Sequence, residues 1–316
     1  MIRSATGRII RFLVTLAVTS VLVFAFMRIL PGDPATVVLG TGATEEALER
    51  TRQEFGLDRP LIVQYWDWVT GIPFGDFGFS FITGQDISPI VLDRLSVSLI
   101  LVISAMLLAL VIAIPLGSWA AVRHSKPDGI MISSGTQIGI AIPNFLAGML
   151  LIGVFALGLG WLPANSWMPP AYDGIQFIQH LILPVTALAA VQAAIMTRYV
   201  RTAVLEILSE DWMRTARAKG LSRFQALLRH GLRNAALPVL TVTGIQLTTL
   251  VIGAVVIEQV FVIPGIGSEL LSAVGSRDLL TVQSIVMLLA LITLTINFIV
   301  DLLYIFLDPR TAATQG

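Results

Sequence analysis

Long apolar runs separated by short charged clusters dominate the pattern of hydrophobic and polar positions along the chain. The uncharged runs lie at 12–27, 95–122, 130–162, 181–197, 234–257 and 279–300. A helix needs ~20 mainly apolar residues to cross a bilayer. Each run therefore predicts one spanning helix, the first extended to Leu30 and the fourth to about Arg201, whose arginine reaches the interface. The pattern indicates an all-α membrane protein with six transmembrane helices.

Composition supports the membrane interpretation. The chain of 316 residues is 55% hydrophobic and 13% charged, with a mean hydropathy of +0.84. A soluble domain of this length would need a charged surface that this composition does not supply. The net charge is zero, which indicates no nucleic-acid partner. The chain has no cysteine, and therefore neither disulfides nor thiol chemistry.

The distribution of basic residues predicts the orientation in the membrane. With the N-terminus inside, 14 of the 20 Lys and Arg fall on the inner side. The others are Arg28, Arg50, Arg52, Arg59, Arg94 and Arg277. Because Lys and Arg accumulate on the cytoplasmic side, both termini are predicted to be cytoplasmic. The first apolar run resembles a signal peptide, but no small-residue cleavage site follows it, so we expect it to be retained.

The spacing of the runs divides the chain into four parts. These are an N-terminal spanning helix (1–30), a long extracytoplasmic segment (31–94), a five-helix core (95–307) and a cytoplasmic tail (308–316). In the long segment, Pro31-Gly32-Asp33-Pro34 predicts a turn, and Thr44 predicts the cap of a short helix that ends at Gly56. The segment is either a folded spacer or a docking site for an external partner.

A polar stretch, SEDWMRTARAKGLSRFQALLRHGLRN at Ser209–Asn234, separates the fourth and fifth apolar runs. Ser209 is a favourable N-cap, and Gly220 is placed just beyond the last turn of a short helix. The helix dipole favours the acids in the first turn and the bases in the last. Those charged residues are Glu210, Asp211, Arg217 and Lys219. The loop at about 205–233 is thus predicted to hold a helix of ~10 residues with its own start and stop.

A second amphipathic helix is predicted to follow in the same loop. Ser222 and Gln225 have the spacing of a capping box, and apolar residues then recur at helical spacing as far as Ala235. A plain connection between spanning helices needs only a few residues. The loop is therefore either an interfacial helix with positive-inside charge or a docking helix for a partner. The caps and the small residues Thr215 and Ala216 favour docking, since small side chains allow a close approach of backbones.

At this loop the chain becomes similar to a known family, and motifs of the same family recur almost from end to end. They are RILPGDPA (28–35), FGLDRPLIVQY (55–65), GDFGFSF (75–81), IPLG (114–117), IPNF (142–145), LGWLP (159–163), EDWMRTARAKGLS (210–222), VIEQVFVIPGIG (256–267) and VDLLYIFLDPR (300–310). Together they resemble the permeases of binding-protein-dependent ABC importers, in the dipeptide/oligopeptide/nickel branch. LPGDPA and the long first outer segment resemble the B-type subunit more than the C-type.

Some positions depart from the family pattern. Arg214 stands where the broad family has a glutamate, although the Arg-Thr-Ala form is common in the peptide branch. Asn144 stands where serine is common, and RDLLTVQS at 277–284 replaces the branch's usual Asp-Tyr-Pro after the arginine. The resemblance implies that Asn144 and the segment 277–284 would bear on substrate specificity.

The resemblance implies a type I ABC importer permease fold with a cytoplasmic coupling helix between helices four and five. It also implies a bacterial inner-membrane location, a heterodimer with a homologous C-type subunit, two ATP-binding subunits and an extracytoplasmic substrate-binding protein. ATP and Mg would be bound by those ATPases, and this chain would have no cofactor or metal of its own. The residues that would contact the ATPases are Glu210, Asp211, Arg214, Thr215, Ala216, Lys219, Gly220 and Leu221. Similar permeases move dipeptides, oligopeptides, nickel chelates, glutathione, opines and oligosaccharides.

Missing motifs narrow the function further. The sequence contains no G-x-x-x-x-G-K-[ST], H-E-x-x-H or G-x-S-x-G, so we expect no ATPase, metalloprotease or serine hydrolase activity. Amides within the spans either line a transport pathway or form interhelical hydrogen bonds. The candidates are Gln137, Asn144, Gln192, Gln246 and Asn297.

Two other functional classes remain. A self-sufficient secondary transporter or channel would work without ATPases, but the spans lack the acid and histidine relays expected of proton coupling. A membrane scaffold without transport would need neither the capped loop nor the helix breaks at Pro115 and Pro143.

Overall fold

The computed structural model describes residues 2–29, 32–40, 42–227 and 231–307. Helices make up most of this part of the chain. They are α1 (Ile2–Ile29), α2 (Pro34–Leu39), α3 (Glu45–Glu54), α4 (Leu61–Gly71), α5 (Ser88–Val122), α6 (Pro127–Ala141), α7 (Asn144–Leu151), α8 (Gly174–Ser209), α9 (Asp211–Ala218), α10 (Arg223–Ala226), α11 (Leu232–Val260), α12 (Ile266–Ser276) and α13 (Leu279–Leu307). Within the described ranges, strand-like pairing is limited to one antiparallel bridge between Phe79 and Asp86. The predicted tail 308–316 and the loop residues Arg229 and His230 lie outside the described residues.

In the described part of the chain, five helices are long and apolar enough to cross a membrane: Thr6–Ile29, Ser88–Val122, Gly174–Ser209, Ala235–Val260 and Leu279–Leu303. The pair α6 and α7, with a π-helical turn at Ile152–Gly158, supplies a sixth span if the bent pair counts as one. The all-α fold class is therefore confirmed, with five or six spans according to how that pair is counted.

The third span is sharply bent, which the sequence only partly predicted. α6 and α7 meet at an angle of 97° around Ile142 and Pro143. Ile142 takes an extended conformation (φ −83°, ψ 121°) because the proline ring disfavours helical geometry in the residue before it. The predicted position of the break is right, but the expectation of a single broken helix across 130–162 understated the bend.

Two spanning helices are longer than their uncharged runs predicted. α8 begins at Gly174 rather than near Leu181, because the side chain of Asp173 caps it by accepting from the N–H groups of Ile175 (2.9 Å) and Gln176 (3.1 Å). It then continues to Ser209 instead of ending near Arg201. α5 begins at Ser88 rather than at residue 95. Both helices continue through charged residues that lie beyond the apolar run. The length of the uncharged run therefore underestimates the length of the helix.

The long segment after α1 carries several short helices. The side chain of Thr44 accepts from the N–H of Ala47 (3.3 Å), and Gly56 has φ +65° after the end of α3, so both predicted ends of that helix are confirmed. The expected turn at 31–34 is followed at once by α2, whose first turn is capped by Asp33. The sequence did not predict α2.

Arg52 connects α3 to the cap of α2. Its guanidinium donates to Asp33 (2.9 Å), Glu45 (3.0 Å) and Glu49 (3.2 Å). Hydrogen bonds to Glu45 and Asp33 raise the pKa of Arg52 above its ordinary value. The arginine therefore remains charged at any physiological pH and holds the two short helices together.

The segment 258–278 also contains a helix that the sequence did not predict. It joins the fifth and sixth apolar runs, and α12 occupies eleven of its residues. The helix ends at Ser276, and its C-cap, Arg277, adopts a left-handed conformation (φ 59°). Its sequence, IGSELLSAVGS, is short and rich in Gly and Ser, and this composition concealed it.

The chain forms two compact units. One comprises Leu99–Ile263 with the end of α13 from Ile299, and the other comprises Ile2–Ser98 with Pro264–Phe298. In the second unit, Phe24, Trp68, Phe77 and Ile285 belong to one apolar core. The four-part division by chain order stays a prediction.

Candidate functional site

The loop between α8 and α11 begins differently from the sequence prediction. Ser209 is the last residue of α8, and its hydroxyl donates to the carbonyl of Glu206 (2.6 Å). The chain turns at Glu210, which is extended (φ −66°, ψ 146°), and α9 starts at Asp211. The expected N-cap at Ser209 is therefore wrong, because its hydroxyl bonds backwards within α8. The carbonyl of Glu210 accepts from Met213 N–H (3.0 Å) and starts the new helix.

The end of α9 follows the predicted glycine cap. Gly220 has φ +89°, a conformation that favours glycine. The N–H of Lys219 donates to Thr215 O (3.2 Å), and that of Leu221 donates to Ala216 O (3.3 Å). The bond from Leu221 has the six-to-one pattern of a Schellman motif. The helix thus stops at a fixed point, confirming the predicted role of Gly220 as its C-terminal cap.

The capping box of the next helix is also confirmed. The N–H of Ser222 donates to Gln225 Oε1 (3.0 Å), and the N–H of Gln225 donates to Ser222 Oγ (3.2 Å). Because these reciprocal bonds satisfy two backbone donors, α10 starts at a defined residue, Arg223. Two capped helices therefore occupy the loop.

One face of α9 is anchored in the protein. Met213 and Ala216 are buried and belong to an apolar cluster with Val200, Val204 and Ile207 of α8. The same cluster contains Ala121 at the end of α5, Ala226, Leu227, and Ala235 of α11. We call these nine residues the α9 anchor. Through this cluster α9 packs with the end of α8, which precedes the loop, and with the start of α11, which follows it.

The opposite face of α9 is exposed. Asp211, Arg214, Thr215 and Ala218 recur at spacings of three and four residues, so they share this face. The ion pair between Arg214 and Asp211 (3.7 Å) joins two almost fully exposed side chains, and such pairs contribute little to stability. These charges therefore do not hold the fold together, and they remain available to a partner.

The structure divides the eight candidate coupling residues into two groups. Ala216 is buried, and Leu221 is half-buried against the α9 anchor, so both face inwards. The exposed members are Glu210, Asp211, Arg214, Thr215, Lys219 and Gly220. The exposed residues thus form one continuous polar surface along α9 and its C-terminal cap.

Two glycines support this arrangement, and their packing role was missed in the sequence. A Cβ at Gly231 would lie 2.7 Å from Leu227 Cδ1 and 3.2 Å from Ile207 Cγ2. A Cβ at Gly117 of α5 would lie 2.7 Å from Val200 Cβ and 2.8 Å from Thr197 O of α8. Gly117 requires glycine because a Cβ there would meet a backbone oxygen of α8, whereas at Gly231 the nearest atoms are the ends of side chains. For Gly117, a glycine within an apolar helix was the only available signal.

The candidate pathway residues are not equivalent. Gln192 is 4% exposed, and its Nε2 has no hydrogen-bond partner among the described residues. Asn144 is half-buried, and its Oδ1 likewise lacks a partner in the described chain. Gln246 is half-buried, whereas Gln137 and Asn297 are exposed. Asn297 belongs to a different compact unit from the other four.

Asn144 and Gln192 lie close to a junction of three helices. A Cβ at Gly253 of α11 would lie 3.0 Å from Asn144 Nδ2 and 3.8 Å from Leu188 Cδ2. Asn144 therefore lies where α7, α8 and α11 meet, beside the break at Pro143. Gln192 follows Leu188 by one turn of α8.

The described residues include no group of three or more His, Asp or Glu side chains arranged to hold a metal. The described structure is characterised by long apolar helices and by α9, a separately capped and partly exposed helix between α8 and α11. This combination is that of a multi-pass membrane protein with a separate short helix between two of its spans. The family comparison makes the class specific.

The chain belongs to the family described as binding-protein-dependent transport system inner membrane component, whose model matches residues 113–313. A companion model for the N-terminal part of such membrane components matches residues 1–102. The chain is therefore a transmembrane permease subunit of an ABC importer, a transport component rather than an enzyme. Membership implies a multi-pass inner-membrane protein that works with ATPase and substrate-binding partners.

Similar proteins agree with this assignment. The chain is 40% identical over 313 residues to the glutathione transport system permease protein GsiC of Escherichia coli, covering 98% of both chains. The protein of the same name from Salmonella typhimurium gives the same identity and coverage. A crystal structure of an amino acid ABC transporter with histidines matches with a TM-score of 0.52 and 17% identity. That match covers 69% of this chain and 94% of the other, and it supports the fold alone.

Proposed function

We propose that this chain is the B-type permease subunit of an importer for peptides or closely related small solutes. It forms half of a translocation pore with a homologous C-type subunit, and α9 transmits the movement of two ATPase subunits to the pore. The observation that carries the proposal is that α9 has one face buried in the α9 anchor and the opposite polar face exposed.

The packing of α9 supports a rigid coupling mechanism. Met213 and Ala216 tie the helix to α8, and Ala235 brings α11 into the same cluster. A push on the exposed face would therefore move the adjoining ends of α8 and α11 together, and this is how packed elements transmit a displacement. Closure of the ATPases around ATP and Mg would supply the push and switch the pore between its two openings.

The exposed polar surface determines what the ATPase would contact. Arg214 and Lys219 can donate to carboxylates or carbonyls, and Thr215 can both donate and accept. Gly220 leaves the cap of α9 free of a side chain, so a partner backbone can approach closely. Ala216 and Leu221 act indirectly in this proposal, because they hold the helix in place.

The polar groups near the three-helix junction favour peptide-like cargo. Gln192 offers an amide N–H and Asn144 a carbonyl oxygen, and neither group has a partner in the described chain. A peptide bond carries the complementary acceptor and donor. The glutathione named for the 40%-identical relative is itself a tripeptide. We therefore place peptides ahead of nickel chelates, opines and oligosaccharides as cargo.

The orientation of the chain is part of the proposal. The positive-inside distribution places both termini and α9 in the cytoplasm, where the ATPases would be. The long segment after α1 then lies outside, where the substrate-binding protein would dock.

A substitution at the cap of α9 tests the coupling role. Gly220→Arg places a large charged side chain at the exposed end of α9, and no other atom lies within 4 Å of its Cβ position. We expect ATP-driven uptake and the coupling of ATPase activity to be abolished in the reconstituted complex, while the chain still inserts into the membrane. The measurement is uptake of labelled peptide with ATPase activity recorded in parallel.

Gly40→Arg is the matched control. Gly40 also has a positive φ (+81°, against +89° at Gly220) and open space at its Cβ position, but it lies in the segment after α1. It adds the same charged side chain at a glycine of positive φ that lies outside the α9 loop, so uptake should be retained. Normal uptake by the Gly220→Arg complex would refute the docking role.

A further inference from the structure

A cavity of about 450 Å³ lies in the compact unit that contains the long outer segment. Its lining comes from the end of α1, the end of α3 and the turn after it, α4, the loop at 76–84 and the first turns of α13. The volume is within the ~300–1,000 Å³ that is usual for small-molecule sites. None of the five candidate pathway residues lines this cavity, so the transport role does not account for it.

Two almost fully buried amides line the cavity and carry polar atoms without partners. Gln283 is 2% exposed, and its Nε2 has no hydrogen-bond partner among the described residues. Gln64 is 7% exposed, and its Nε2 donates to Leu57 O (3.2 Å) and Arg59 O (2.7 Å). These two bonds fix the orientation of the amide, which leaves Gln64 Oε1 without a partner. A buried polar atom of this kind destabilises the protein unless another group satisfies it.

A basic side chain adds to the donors in the cavity. The guanidinium of Arg28 lies 5.0 Å from the centre of the Phe24 ring, and its Nε also lacks a hydrogen-bond partner in the described chain. Arg28 and Gln283 together can donate to a carboxylate, and a charge-assisted bond from arginine is stronger than one between neutral groups. This part of the cavity therefore favours an anionic group.

Acidic side chains line the more exposed part of the cavity. Asp67 is already paired with Arg59 (2.6 Å), whereas Glu54 and Asp76 are exposed acids that also belong to the lining. They favour an ammonium group. The aromatic rings of Phe55 and Phe81, whose centres are 4.6 Å apart, supply an apolar wall.

We propose that this cavity binds a small zwitterion of the peptide class, at a site separate from the candidate pathway. The carboxylate of the ligand would accept from Arg28 and Gln283, and its amide N–H would donate to Gln64 Oε1. Its ammonium group would face Glu54 and Asp76. Because the site lies in the predicted extracytoplasmic segment, it would sample peptide outside the cell.

The test measures binding of the dipeptide Ala-Ala to the full-length chain in phosphatidylglycerol nanodiscs, by equilibrium dialysis with labelled dipeptide. We expect one saturable site whose affinity falls about tenfold or more, equivalent to ~1.4 kcal/mol, in Gln283→Met and in Arg28→Met. N-acetyl-Ala-Ala lacks the ammonium group and Ala-Ala-amide lacks the carboxylate, so both should bind at least about tenfold more weakly.

Arg50→Gln is the control for loss of a basic residue. Arg50 lies on α3, its side chain is 72% exposed, and it is not part of the lining. Its substitution should leave the affinity unchanged. If Gln283→Met fails to fold, as judged by its thermal unfolding, the more exposed Arg28→Met decides the result.

Three results would overturn the proposal. The first is the absence of both saturable dipeptide binding and bound lipid, which would mean that water alone satisfies the buried amides. The second is equal binding by wild type and both variants, which would place the dipeptide elsewhere, including in the transport pathway. The third is a lipid in place of the dipeptide. The wild-type chain would then bind no dipeptide but would retain phosphatidylethanolamine in native mass spectrometry, and Gln283→Met and Arg28→Met would lose that lipid. None of these results would alter the expected outcome of the Gly220→Arg experiment, so the two proposals fail separately.

Discussion

At the scale of single residues, the sequence could not distinguish whether an amide within the spans lines a transport pathway or bonds to a neighbouring helix. The hydrogen-bond partners of these amides in the structure bear on that choice. An interhelical hydrogen bond would satisfy the amide of Gln192, but the structure leaves its Nε2 without a partner in the described chain. Asn144, at the junction of α7, α8 and α11, has an Oδ1 that also lacks a partner in the described chain. Their sequence positions predicted polar groups within the spans, but not which groups would be left unsatisfied, because that depends on the packing of α7, α8 and α11.

Replacing Gln192 by leucine tests the pathway role. If the amide donates to cargo, Gln192→Leu should raise the KM for peptide uptake about two- to tenfold, the equivalent of one hydrogen bond of ~0.5–1.5 kcal/mol. The free energy of unfolding should stay the same or rise, because the variant no longer buries an unpaired donor. The measurements are concentration-dependent uptake and denaturant unfolding in detergent.

Gln176→Leu, at the exposed start of the same helix, is the control for this substitution. It should change neither quantity. An unchanged KM for Gln192→Leu, combined with a loss of ~0.6–2 kcal/mol in stability, would instead identify Gln192 as a packing residue that bonds to a neighbouring helix.

At the scale of helices, the features that depend on local sequence were the ones that could be predicted. The caps at Thr44 and Gly220 and the box between Ser222 and Gln225 involve residues close together in the chain, and all three occur as expected. The apolar runs likewise located the spanning helices, because about 20 apolar residues in succession have few alternatives to spanning a membrane.

The features that could not be predicted depend on contacts between distant residues or on competing local bonds. The 97° bend at Pro143 needs neighbouring helices to accommodate it, and the proline alone indicated only a break. The hydroxyl of Ser209 could either accept from a backbone N–H at the start of α9 or donate to a carbonyl of α8. It donates to Glu206 O and so does not cap α9. The burial of Ala216 depends on α8, which no local pattern reports.

The contact between α5 and α8 gives a prediction at this scale. Gly117→Ala would force a shift, because its Cβ would lie 2.7 Å from Val200 Cβ and 2.8 Å from a backbone oxygen. We expect a loss of ~1–3 kcal/mol in the free energy of unfolding, typical of overpacking. Denaturant unfolding of the purified chain in detergent measures it.

Gly135→Ala on α6 is the matched control, since no atom lies within 4 Å of its Cβ position. It should be neutral or stabilise the protein by up to about 1 kcal/mol through helix propensity. Equal effects of the two substitutions would show that α5 and α8 do not approach each other as closely as the structure shows.

At the scale of the whole molecule, the chain is one component of a larger machine. The family assignment establishes an ABC importer permease, and the sequence contains no phosphate-binding loop of its own. Transport driven by ATP therefore requires that another chain hydrolyse the ATP. A helix of the permease that receives the resulting movement needs one face exposed to that chain and the other packed against the spanning helices. In the described structure α9 has both properties.

The absence of cysteine provides a sensitive test of where α9 lies and what covers it. A single Lys219→Cys substitution introduces the only thiol of the chain at an exposed position beside Gly220. Thr83→Cys, in the long segment after α1, is the control for the opposite side and is also exposed. Each variant is labelled with a membrane-impermeant maleimide in sealed vesicles of known orientation, with and without the ATPase subunits.

We predict that Lys219→Cys reacts only from the cytoplasmic side and that the assembled ATPases protect it from the reagent. Thr83→Cys should react only from the opposite side, whether or not the ATPases are present. Labelling of Lys219→Cys from outside, or labelling that the ATPases leave unchanged, would contradict the assignment of α9 as the element that connects this permease to its source of energy.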